Sequence, residues 1–138
     1  RDADNQWLER FGEPWVEEYR RRVGFVMDIA ADDDQRIILW VGQPPMSGAG
    51  FDTRMQLLNE LYQMEADERE SVHYIELRSL FTDTSGEYSR YLPDTSGKLV
   101  DVRLSDGVHL SHWGGKWLSE LLLSEISRLS GLGDLWQQ

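Results

Sequence analysis

Arg36-Ile37-Ile38-Leu39-Trp40-Val41, closed by Gly42, restricts the fold more than any other segment of this chain. A short and almost wholly apolar run ending at a glycine reads as a strand covered on both faces in a parallel sheet. Such a strand needs helices to cover it, and the flanking sequence supplies them. Upstream, Pro14 suits a first helical turn, Glu17 and Glu18 complement the helix dipole, and Trp15, Tyr19, Val23, Val26, Met27 and Ala30 recur at helical spacing. That amphipathic helix runs to the acidic stretch Asp32-Asp33-Asp34. Downstream, Gln43-Pro44-Pro45-Met46-Ser47-Gly48-Ala49-Gly50 predicts a loop, because the prolines lack donors and the glycines favour turns. Asp52 then caps a helix striped by Met55, Leu58, Leu61 and Tyr62, and Val72-His73-Tyr74-Ile75-Glu76-Leu77 predicts a second strand. The order helix, strand, helix, strand implies an α/β sheet with covering helices.

Regularity then stops. Residues 78–105 hold Asp83-Thr84-Ser85-Gly86 and, eleven positions on, Asp94-Thr95-Ser96-Gly97, two turn signals around Tyr88, Tyr91, Leu92 and Pro93. They read as turns of one long loop or irregular hairpin, and a loop of this length in a compact domain is often functional. Ser111 caps a last helix whose Trp113, Trp117, Leu118, Leu121, Leu122, Ile126 and Leu129 form the face expected to be buried, with Gly131 as the stop. At 138 residues, with no interdomain linker, the whole chain 1–138 is expected to be a single α/β domain.

Charge narrows the partners. Acidic residues outnumber basic ones 25 to 14, so a phosphate backbone or an anionic membrane surface is repelled and nucleic acid is not an expected partner. The absence of cysteine removes disulfides, thiolate nucleophiles and cysteine metal sites. No apolar run approaches the roughly 20 residues of a membrane span.

The chemistry concentrates in Asp106-Gly107-Val108-His109-Leu110-Ser111, followed by Gly114-Gly115. An acid three residues before an imidazole, on one turn, lets the carboxylate orient the ring and stabilise its protonated form, as the base for a hydroxyl nucleophile requires. The competing reading is a solvated loop histidine with Asp106 as a turn former. His112, one residue past the cap, is a rival base or an exposed first-turn histidine, and His73 alternates within a strand as a structural residue. A metal pair of His109 and His112 lacks a clear third ligand, so a metal is not expected. Pro44, Pro45 and Met46 follow the first strand, which predicts that they share a sheet edge with Asp106 and His109, either as a wall of a substrate cleft or as a rigid connection. Trp15, Trp113 and Trp117 fall on apolar helix faces and are expected in the core rather than stacked on sugars. The Asp32-Asp33-Asp34 run lacks the spacing of a calcium loop and predicts a solvated helix end.

Taken together, these segments resemble the carboxyl-terminal portion of the SGNH (GDSL-like) hydrolases, in particular the bacterial branch catalogued as a domain of unknown function, DUF459. The resemblance rests on Trp15 and Tyr19 through Arg22-Val23, on Ile38-Leu39-Trp40-Val41-Gly42-Gln43-Pro44-Pro45-Met46, on Gly86-x-Tyr88, and on Arg103-x-x-Asp106-Gly107-Val108-His109-Leu110 with Gly114-Gly115. It implies a flavodoxin-like three-layer sandwich, mostly parallel, lacking its first strands. It also implies a Ser-His-Asp triad, with Asp106 orienting the ring and His109 as general base. The implied activity is serine-dependent ester hydrolysis or O-acyl transfer, on a small-molecule or carbohydrate ester, without a cofactor. An envelope location, periplasmic or extracellular, follows from the family alone. The Gly-Asp-Ser block that carries that family's nucleophile does not occur in these residues. The chain, beginning at Arg1, is therefore expected to be the later part of a larger hydrolase domain, with little activity by itself. The alternative is a non-catalytic module of the same fold that grips a glycan or a partner chain.

Overall fold

The computed structural model describes residues 5–131, which form a mixed α/β structure in two compact units, residues 5–44 with 49–77 and residues 45–48 with 78–131. In the first unit the order is α1 (Glu13–Ala31), β1 (Ile38–Val41), α2 (Ala49–Asp67) and β2 (Val72–Ile75). Gly12 is the N-cap of α1 and Pro14 falls in its first turn, where a missing N–H costs nothing. The helix ends at Asp32, whose φ of 53° is left-handed, and Asp33 and Asp34 follow at 52° and 62°. Aspartate tolerates that region better than most residues, so the acidic run is the exit that turns the chain into β1.

β1 and β2 pair in parallel, with Ile38 opposite Val72 and Trp40 opposite Tyr74. Alternation puts Ile38, Trp40, Val72 and Tyr74 on one face, and these side chains pack with Val23, Met27 and Ala31 of α1 and Tyr62 and Ala66 of α2. This is the core of the unit. Around it Arg20 binds Glu65 and Glu68, and Arg69 binds Asp28 and Glu65, joining the two helices. Gly24 faces this network, where a Cβ would meet the Glu65 carboxylate and the Arg69 guanidinium.

The second unit holds β3 (Tyr91–Pro93), β4 (Leu99–Asp101) and α3 (His112–Ser130). The two Asp-Thr-Ser-Gly segments fold alike: one carboxylate oxygen of Asp83 accepts from Ser85 N, Ser85 Oγ and Glu87 N, and Asp94 repeats this with Ser96 and Lys98. Gly86 and Gly97 both take φ of 82°, which completes each turn. The first turn closes a bridge between Thr82 and Tyr88, and the second closes the antiparallel β3–β4 hairpin.

Several expectations change. Strands are shorter than the apolar runs, Ile38–Val41 and Val72–Ile75, and every residue of β1 is half-buried rather than covered on both faces, because the described sheet has one partner strand beside it. The loop after β1 ends at Gly48, so Gly50 is helical and Asp52 lies inside the first turn of α2, where it favours the dipole and accepts from Gln56 instead of capping. The apolar stripe of α3 is largely uncovered: Gly114 is its buried residue, while Trp113 and Ile126 are 38% and 47% exposed. A 19-residue helix is about 28 Å long, whereas three-residue strands span about 10 Å, so the hairpin can shield only part of it. Among the described residues no helix is long and apolar enough to cross a membrane.

Candidate functional site

Asp106 and His109 lie at the tip of a tight hairpin in the second unit. An antiparallel bridge between Arg103 and Leu110 closes it, with Leu104 N donating to His109 O at 2.8 Å and Gly107 N donating to Leu104 O at 3.1 Å. Gly107 takes φ of 71°, and a Cβ there would run into both Oγ and Cβ of Ser47. Only glycine permits this path. Beyond the hairpin, Ser111 N-caps α3 by accepting from Gly114 N at 3.2 Å, and its hydroxyl donates to Asp101 O. The tip is thus fixed to the start of a helix.

The Asp106 carboxylate organises the tip. Its Oδ1 accepts from Val108 N at 2.8 Å and His109 N at 3.0 Å, and its Oδ2 lies 2.7 Å from His109 Nδ1. An ionised carboxylate only accepts, so Nδ1 carries the proton and donates, and Nε2 presents its lone pair outward. The bond from the imidazole, followed by the two backbone N–H groups, holds the Asp106 carboxyl well below the usual carboxylate range. The His109 side chain is 74% exposed, so its outer nitrogen faces space that a reacting group could enter.

Met46 and Ser47, in the part of the proline loop that belongs to the second unit, reach the same hairpin. Ser47 N donates to Gly107 O at 3.2 Å, and Met46 Sδ is 3.4 Å from Nη2 of Arg103. Pro45 and Met46 are buried and Pro44, which belongs to the first unit, is half-buried. His112 is exposed as the first residue of α3, its ring edge-on to Trp113, and His73 is half-buried in β2 opposite Leu39.

Two residues that shape these loops were not among the site residues expected from sequence, although Arg103 stands in the block that carries the family resemblance. Asn59 is buried on α2, where its side chain accepts from Gln43 N at 2.7 Å and donates to Gln43 O at 2.9 Å, pinning the start of the proline loop. Its signal was a polar residue beside Leu58 and Tyr62 in an apolar stripe. Arg103 is fully buried, with Nη2 donating to Val108 O at 2.5 Å and Cζ 5.8 Å from the centre of the Tyr88 ring. Its signal was a cation following Val100 and Val102 in a strand-like run.

A comparison with curated proteins finds no match. The model of the family described as "Protein of unknown function (DUF459)" matches residues 1–125, and the chain belongs to that family.

Proposed function

We propose that Asp106 and His109 are the orienting carboxylate and the general base of an SGNH-type serine ester hydrolase or O-acyltransferase. The observation that carries this reading is the 2.7 Å hydrogen bond from His109 Nδ1 to Asp106. It leaves Nε2 as the proton acceptor, the tautomer that a serine nucleophile requires. In this reaction a serine hydroxyl attacks an ester carbonyl while Nε2 takes its proton, and the imidazolium, stabilised by Asp106, returns that proton to the departing alkoxide. Water or a sugar hydroxyl then cleaves the acyl-enzyme with the roles reversed.

The nucleophile in this proposal comes from a Gly-Asp-Ser block in the intact protein, since these residues contain none. The fold proposed for that protein is a flavodoxin-like three-layer sandwich forming one domain, of which the helix-covered parallel pair is a part. Pro44, Pro45 and Met46 are proposed as the substrate-side segment. Because Pro45 and Met46 are buried, they would act by fixing the backbone path rather than by offering side chains. O-acylated envelope carbohydrate is the proposed substrate class, and no cofactor is required.

The test is ester turnover by the intact protein on a short-chain nitrophenyl ester. His109→Ala is expected to lower kcat by roughly three orders of magnitude or more, while His112→Ala changes it little. A folded His112→Ala variant that is the more damaged of the two would show that the base is misassigned. A folded His109→Ala variant with wild-type turnover would remove His109 from the catalytic machinery, and a folded intact protein that turns over no ester would leave the glycan- or partner-binding module as the better reading.

A further inference from the structure

We propose that Arg103 is a positioning residue for the Asp106–His109 pair, acting through the peptide group that joins Val108 to His109. That peptide is planar and moves as a unit. Its N–H, on His109, donates to Asp106 Oδ1, and its carbonyl oxygen, on Val108, accepts from Arg103 Nη2. The plane is therefore held at both ends, and rotating it to swing His109 away breaks both bonds at once.

The burial of Arg103 supports a directional task. Enclosing a guanidinium costs more than enclosing an aliphatic side chain of similar volume, and the hydrogen bond from Nη2 to the Val108 carbonyl offsets part of that cost. Arg103 reaches two loops through one nitrogen, Nη2, which meets both the Val108 carbonyl and Met46 Sδ, and its guanidinium lies over the Tyr88 ring. Ser47 N adds a second link from the Met46 segment to Gly107 O. The direction of the imidazole is thus tied to chain segments about 20 and about 60 residues upstream.

The positioning can be read without any catalysis, by NMR on the 138-residue chain. In the wild type the His109 ring is expected to give the Nδ1 resonance of the Nδ1–H tautomer in proton–nitrogen correlation spectra read through its carbon-bound ring protons, and Asp106 titrates below the usual carboxylate range. Arg103→Met should remove that resonance and return the Asp106 titration toward about 3.9. Arg103→Lys, which keeps the charge without the fork, should give a partial loss of both and serves where the methionine variant does not fold. Val100→Ala is the control, a cavity in β4 with no part in these hydrogen bonds. Wild-type signatures in a folded Arg103→Lys or Arg103→Met overturn the proposal, and so does an equal loss in Val100→Ala. The catalytic consequence rests on the hydrolase reading: in the intact protein Arg103→Lys should lower kcat by roughly 10- to 100-fold with KM little changed. Changed NMR signatures in a protein without esterase activity would refute the hydrolase reading and leave the positioning standing.

Discussion

Replacing Gly107 by alanine tests the construction of the hairpin tip, and a second substitution separates its two sources of strain. The first is the backbone: at φ of 71° an L side chain costs about 1–2 kcal/mol. The second is steric, because the new Cβ would overlap Ser47. Rotating the Ser47 hydroxyl would relieve the contact with Oγ, but Ser47 Cβ is also too near and cannot rotate away. Overpacking of this kind typically costs about 1–3 kcal/mol, so Gly107→Ala should destabilise by about 2–5 kcal/mol in all. Ser47→Gly removes both offending atoms. In that background Gly107→Ala should cost only the backbone part, giving a coupling of about 1–3 kcal/mol in the double-mutant cycle. Urea denaturation of the four proteins measures it, the slopes being checked for a common two-state transition. Additivity to within about 0.5 kcal/mol would refute the packing of Ser47 against Gly107 and, with it, the convergence of the proline loop on the tip.

The paired glycines of α3 should respond with opposite signs to alanine. At Gly114 the Cβ would meet the Val102 carbonyl, a backbone atom, so Gly114→Ala should destabilise by about 1–3 kcal/mol, whereas Gly115→Ala, with open space around it, should stabilise by up to about 1 kcal/mol. The same urea assay checks this, and equal signs would contradict the close approach of α3 to the end of β4. Asp106 has a depressed folded pKa, so its contribution is complete above the ordinary carboxylate value and is lost only as pH falls through the folded value. The His109 Nδ1 to Asp106 bond should therefore persist at pH 4, where an unperturbed aspartate is about half protonated, and a pH series of NMR spectra would detect its earlier loss.

Most of what depends on residues within about four positions of one another was legible in the chain itself, Asp52 being the exception, read as a cap but lying inside the first turn of α2. Pro14 in a first turn, Ser111 as a cap, Gly131 as a stop and the helix–strand–helix–strand order follow from local dihedral preferences and hydrogen-bond closure. The Asp106–His109 bond belongs with them, since its partners are three residues apart on one turn. The repeated Asp-Thr-Ser-Gly turns were visible for the same reason, although the β3–β4 hairpin between strands of three residues was too short to show a period. Tertiary structure alone decided the rest. Periodicity marks the apolar face of α3 but does not say whether a surface lies against it, and the described residues leave Trp113 and Ile126 exposed. The strand-like run before Arg103 hints at a buried position but does not show what encloses it, because Met46 arrives from 57 residues away and Tyr88 from a separate turn. The chain encodes its turns and caps one by one, and only packing determines which of them meet.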